Sequence, residues 1–112
     1  PPAAPAAARG TLRIDFFSEL PEGVLTVYAG PEQIYQQPFS FFDKGLFRDT
    51  PKPGRLEAER GVPAGPLDLR IYLYRQHKDT RIVQLKGDMP AGGNRILRIR
   101  ANSAGKLEAA IE

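Results

Sequence analysis

The chain has 112 residues, 41% of them hydrophobic and 26% charged, which suits one modest core and lies away from the composition of disordered chains. Its net charge of +3 comes from 16 basic and 13 acidic residues, eleven of the basic ones arginine, and the two signs alternate along the chain instead of forming the basic patch that binds nucleic acid. Cysteine is absent, which removes disulfides and thiolate chemistry and fits any compartment, and no apolar run approaches bilayer-spanning length.

The opening residues, PPAAPAAARG, hold three prolines and five alanines in the first eight positions and no large apolar side chain. Such a stretch is a semi-stiff, partly polyproline spacer, so residues 1–9 read as a linker and residues 10–112 as one domain. The start at Pro1, without methionine, suggests a piece of a larger or processed protein.

From Gly10 onward apolar residues fall on alternate positions, the period of a strand whose side chains point to opposite faces. Leu12, Ile14 and Phe16 share one face of TLRIDFF, with Arg13 and Asp15 opposite. Leu25 and Val27 oppose Thr26 and Tyr28 in VLTVYA. The stretch PEQIYQQPFSFFDKGLFRDTPKPG is irregular. Pro38 cannot donate to a ladder, so an edge strand followed by a long connection is expected there.

Beyond it, GRLEAE sets Leu56 and Ala58 against Arg55, Glu57 and Glu59. The clearest alternation is LDLRIYLYR, with Leu67, Leu69, Ile71 and Leu73 inward and Asp68, Arg70, Tyr72 and Tyr74 outward. TRIVQLK, RILRIRA and KLEAAIE follow. With no helical stripe and eleven glycines and eleven prolines as punctuation, the pattern predicts an all-β fold, an antiparallel sandwich of about eight short strands. In the last hairpin, facing Leu97 and Ile99 with Leu107, Ala109 and Ile111 requires an odd-numbered loop, such as Asn102, Ser103 and Ala104, and puts Glu108 opposite Arg98 or Arg100.

Three stretches repeat one device: Pro21-Glu22-Gly23, Pro63-Ala64-Gly65 and Pro90-Ala91-Gly92, each just before a strand. Proline suits the second position of a type I turn and glycine the fourth, so three chain reversals are expected. A phosphate-binding loop would need a helix start after the glycines, and none follows.

The order GTL, PEGVLTVYAG, VPAGPLDLRIYL behind a Pro/Ala-rich lead-in resembles the PEGA-type β-domains of bacterial envelope proteins and transmembrane serine/threonine kinases. Pro21-Glu22-Gly23 matches three letters of the name-giving motif, and Val24 stands where alanine is usual. Tyr28-Ala29-Gly30 replaces the usual Val-Asp-Gly hairpin tip, and the closing Gly-Tyr pair is missing. The resemblance implies an Ig-like or PEGA-like sandwich in the bacterial periplasm, envelope or extracellular side.

Little in the chain points to catalysis. His77 is the only histidine and sits in a turn-like RQHKD, without partners for a metal or a proton relay. Glu57 and Glu59 share a face but lie beside Arg55 and Arg60, as on a solvated, charge-balanced surface. Asp43, Asp49, Asp79 and Asp88 have turn positions without calcium-loop spacing, and no serine has a nucleophile-elbow context. The expectation is a non-enzyme with no cofactor, no metal, no nucleic-acid partner and no membrane insertion of this segment. The candidate contact residues are aromatic: Tyr28, Tyr72 and Tyr74 on the polar strand faces, and Phe42 and Phe47 in the irregular stretch. A protein or a cell-wall polysaccharide is the expected partner. A carbohydrate-binding module attached to an enzyme is one alternative, and a domain that assembles through an edge strand is another.

Overall fold

A computed structural model describes residues 8–44 and 49–112. Residues 1–7 of the proposed linker lie outside the described residues. The strands are β1 (Arg9–Ser18), β2 (Glu22–Ala29), β3 (Glu32–Ser40), β4 (Phe42–Lys44), β5 (Asp49–Pro51), β6 (Gly54–Pro63), β7 (Gly65–Tyr74), β8 (Arg81–Met89), β9 (Asn94–Ala101) and β10 (Leu107–Ile111). Eight of them make a sandwich. The first sheet runs β10-β9-β1-β6 and the second β3-β2-β7-β8, while β4 and β5 form a small ribbon in the irregular connection.

The fold is the expected all-β sandwich, with one departure from antiparallel pairing. β1 lies parallel to β9, Ile14 opposite Leu97 and Phe16 opposite Ile99, and antiparallel to β6 on its other side. A parallel pair needs a long excursion between its strands, and here the entire second sheet is built within that excursion. The core follows from the alternation. Leu12, Ile14, Phe16, Leu97 and Ile99 from the first sheet meet Leu25, Val27, Leu69, Ile71 and Leu73 from the second, all buried. Phe16 and Phe39 join the sheets edge to face, with ring centroids 5.2 Å apart.

The Pro-x-Gly stretches are not three type I reversals. They mark the three places where the chain passes directly from one sheet to the other: β1 to β2, β6 to β7 and β8 to β9. Packed sheets stand ~10 Å apart, so the strand must bend out of its own sheet instead of folding back beside itself. Between β6 and β7 only Ala64 intervenes, its N–H donates to Ala8 O at 2.8 Å, and Gly65 takes φ +108°. A reversal does close at Pro90–Gly93, where Gly93 N–H donates to Pro90 O at 2.9 Å. Proline is first and Gly92 third in it, at φ +69°. Before β2 the buried Ser18 hydroxyl accepts from Leu20 N–H and donates to Leu20 O, each at 2.9 Å, bracing the bend.

β3 is an edge strand containing Pro38, as expected. The terminal hairpin has an odd, five-residue loop, 102–106, and pairs Glu108 with Arg100. Asn102 closes that loop by accepting from Ala104 and Lys106 N–H on its Oδ1.

Gly65→Ala is expected to lower stability by about 1–3 kcal/mol, because φ +108° is open to glycine and costly for any L side chain. Gly61→Ala, where an added methyl meets only the Arg9 side chain at 3.5 Å, is expected to raise it by about 0.4–1 kcal/mol. Urea unfolding of the two variants reads both.

Candidate functional site

Because β2 and β7 are neighbours in the second sheet, the three tyrosines read from the sequence come together on its outer face. Thr26 stands opposite Tyr72, Tyr28 opposite Arg70 and Val24 opposite Tyr74. Tyr28 and Tyr72 are half-buried and meet edge to face, centroids 5.6 Å apart and planes crossing at 77°. That pair is therefore not a flat stacking platform. Tyr74 lies two residues on, 53% exposed.

Ile82 on β8 pairs with Tyr72 on the same face and is 60% exposed. It escaped the sequence reading, although a signal existed: Val83 and Leu85 take the inward positions of TRIVQLK, which leaves Ile82 facing out with Gln84 and Lys86. One shallow depression on this face is lined by Thr26, Tyr28, Gln36 and Tyr72. Another, nearer the β2 corner, is lined by Glu22, Val24, Phe39, Tyr74 and Gln76. Amides surround the rings: Gln36 Nε2 donates to Thr26 Oγ1 at 3.4 Å and Gln84 Nε2 to Asp68 Oδ1 at 2.8 Å.

Phe42 does not join this surface. It sits half-buried on β4, in register with Pro51 of β5. Its neighbours Phe39 and Phe41 stack 5.2 Å apart, and Phe41 packs where Gly54 leaves room, so this aromatic group pins the irregular connection to the core. Phe47 lies outside the described residues.

The outer face of the first sheet is charged and internally paired. Asp15, 13% exposed, lies between Arg98, whose Nη1 donates to Oδ2 at 3.1 Å, and Arg55, whose Nε is 3.4 Å from the buried Oδ1. Glu112, hydrogen-bonded to Arg98 Nε at 2.6 Å, holds that guanidinium's pKa above its ordinary value. Phe17 lies between Arg55 and Arg100, whose guanidinium carbons are 6.0 and 5.5 Å from its centroid. Glu57 pairs with Arg13 at 3.5 Å, in keeping with a solvated face, and Glu108 contacts Lys106 at 3.1 Å although Arg100 is its register partner. Among the described residues no group of three His, Asp or Glu side chains is placed to hold a metal ion. His77 is exposed in the β7–β8 turn at φ +60°.

The sequence reading also missed what several arginines do. Val27 pairs with Tyr35 and Tyr28 with Gln33, so Ile34 is the extra residue of a bulge, and Arg60 Nε donates to its carbonyl at 2.9 Å. The same guanidinium lies 5.2 Å from the centroid of Tyr35 and reaches Glu59 O at 2.7 Å through Nη1. Arg9 donates to Gly61 O, and Arg95 donates to Asp88 O, each at 3.0 Å.

Replacing Arg98 with methionine should lower stability, because the mostly buried Asp15 side chain then loses its hydrogen-bonded cation. Arg13→Met, which breaks a pair half-exposed on both sides, should cost no more than about 0.5 kcal/mol in the same urea titration. Burial raises the Tyr35 pKa above its ordinary 10.0, with Arg60 opposing. The folded state thus binds this proton more tightly; the stability it contributes is complete below pH 10.0 and is lost as pH rises through the folded value. Tyr35→Phe should therefore lose less stability than the parent chain as pH is raised through that alkaline range, which urea unfolding at several pH values would measure.

No family profile and no curated protein matches the chain. Among solved structures its backbone is similar to part of the cytotoxin protein suilysin from Streptococcus suis, with TM-score 0.43 and 15% identity, over 95% of this chain and 23% of that one. The chain spans less than a quarter of that protein's length, a likeness too distant to carry an assignment.

Proposed function

We propose that this domain is a non-catalytic interaction module of a larger bacterial protein, working on the outer side of the cytoplasmic membrane, and that it meets a protein partner through the outer face of β2, β7 and β8. One observation carries the contact surface: among the described residues the two large hydrophobic side chains more than half exposed, Tyr74 and Ile82, lie on one face and both adjoin Tyr72, one along β7 and the other across the ladder on β8. Aromatic residues on a rigid sheet lose little rotamer freedom on binding and are common anchors of protein interfaces. Support for the setting is the Pro/Ala-rich lead-in and the resemblance to PEGA-type domains. The sequence motifs supply no catalytic constellation to compete with this reading.

A second reading, binding of cell-wall polysaccharide, draws on the amide-lined depression between Tyr28, Tyr72 and Gln36. Tyr74 is the ring best exposed for stacking there, since Tyr28 and Tyr72 cross at a steep angle.

A photo-crosslinking side chain at position 74 of the parent protein, in its native cells, should capture a protein, and the same group at Glu108, exposed on β10 of the other sheet, should not. Equal capture at both positions, or none at 74, would overturn the reading. In parallel, tyrosine fluorescence of the domain titrated with peptidoglycan fragments should stay flat. Saturable quenching that is absent in a Tyr72→Ala, Tyr74→Ala double variant would transfer the function to polysaccharide.

A further inference from the structure

Each sheet of an open sandwich has two edge strands, and every edge leaves unpaired N–H and C=O groups that invite another strand. In this chain β3 carries Pro38, and Arg60 occupies the carbonyl of its bulge residue Ile34. β8 and β10 lie against each other across the sandwich, with Ile111 packed over Gly87, and Arg95 takes Asp88 O. β6 is treated differently along its length. Thr11 N–H donates to Gly93 O on the β9 side of β1, so Thr11, Arg13, Asp15 and Phe17 turn their backbone groups away from β6. Their antiparallel partners Gly61, Glu59, Glu57 and Arg55 accordingly present theirs to the free edge. Arg9 and Arg60 occupy the carbonyls of Gly61 and Glu59. No described side chain hydrogen-bonds to the backbone of Glu57 or Arg55.

We propose that the open half of β6, Gly54–Ala58, pairs antiparallel with the same segment of a second copy of this chain, about a two-fold axis at Leu56. In that register Arg55 stands opposite Glu57 of the second copy twice over. A shift to the next register puts Glu57 opposite Glu57 in one direction and Arg55 opposite Arg55 in the other, like charges directly across a ladder, which disfavours both. Pro53 ends the pairing on one side and the arginine-capped Glu59 on the other, so the added ladder is short and self-complementary. Arg55 and Glu57 are 57% and 49% exposed, free to reach across while still touching Asp15 and Arg13. An interface this small falls below the ~1,200–2,000 Å² of stable complexes, so the dimer is weak and governed by concentration. The two sandwiches would share one continuous eight-stranded sheet and leave both Tyr74 faces open, which sets this association apart from the contact surface above.

Sedimentation of the whole chain over about two decades of concentration is expected to show a monomer–dimer equilibrium. Glu57→Pro removes an N–H that faces the free edge and not β1, so it should leave the unfolding transition cooperative and abolish the dimer. Glu57→Arg should do the same by setting the new guanidinium against Arg55 of the second copy. Because the chain has no cysteine, Leu56→Cys gives one thiol per copy. A non-hydrogen-bonded pair brings the two Cα atoms to ~4.5 Å, within disulfide range, so mild oxidation should link Leu56→Cys and not Ala58→Cys, which faces Gly54. A monomer at every concentration, association that survives Glu57→Pro, or equal linking at both positions would overturn the proposal.

Discussion

The structure depends on β1. It is the only strand of the first sheet with long partners on both sides, antiparallel β6 and parallel β9, and its Leu12, Ile14 and Phe16 are fully buried against the second sheet. The parallel pairing joins Thr11 to Asn94, near opposite ends of the sequence, and the whole second sheet lies in the chain between them. Burying those three side chains contributes on the order of 1.5–3 kcal/mol each, which helps to offset the loop-closure entropy of so distant a pairing.

Crossing between layers is the next constraint, and the chain meets it three times with proline and glycine. A strand that leaves its sheet must turn its direction without a neighbour to pair with, and at Ala64 it does so within a single residue. Proline limits the conformations of the approach and glycine supplies the positive φ at Gly65. The motif repeats because the geometry of the crossing repeats.

Arginine accounts for much of what happens at the borders. A long, planar donor with several N–H groups can span from one sheet to the edge of the other, and Arg60 does so while lying on Tyr35. Lysine offers a point charge and no planar fork, which suits this task less well. The arginine-rich composition, which gives the chain its net charge of +3, is therefore partly an answer to open edges. Against this polar background the outer face of β2, β7 and β8 is set apart by Tyr74 and Ile82.

Much of the sandwich was legible in the sequence, because burial of one face of a strand forces a period of two. Leu67, Leu69, Ile71 and Leu73 announced β7, and Leu97 and Ile99 set the odd parity of the last hairpin and narrowed the partner of Glu108 to Arg98 or Arg100, of which the structure takes Arg100. The sharing of one face by Tyr72 and Tyr74 followed from the same period, being a property of a single strand. Which strands become neighbours was decided only by the tertiary structure: the parallel β1–β9 pair, the meeting of Tyr28 with Tyr72 at 77°, and the arrival of Arg60 at Ile34. Local sequence encodes which way a side chain points along its own strand, but the partner across the ladder comes from residues tens of positions away, and no local period records it.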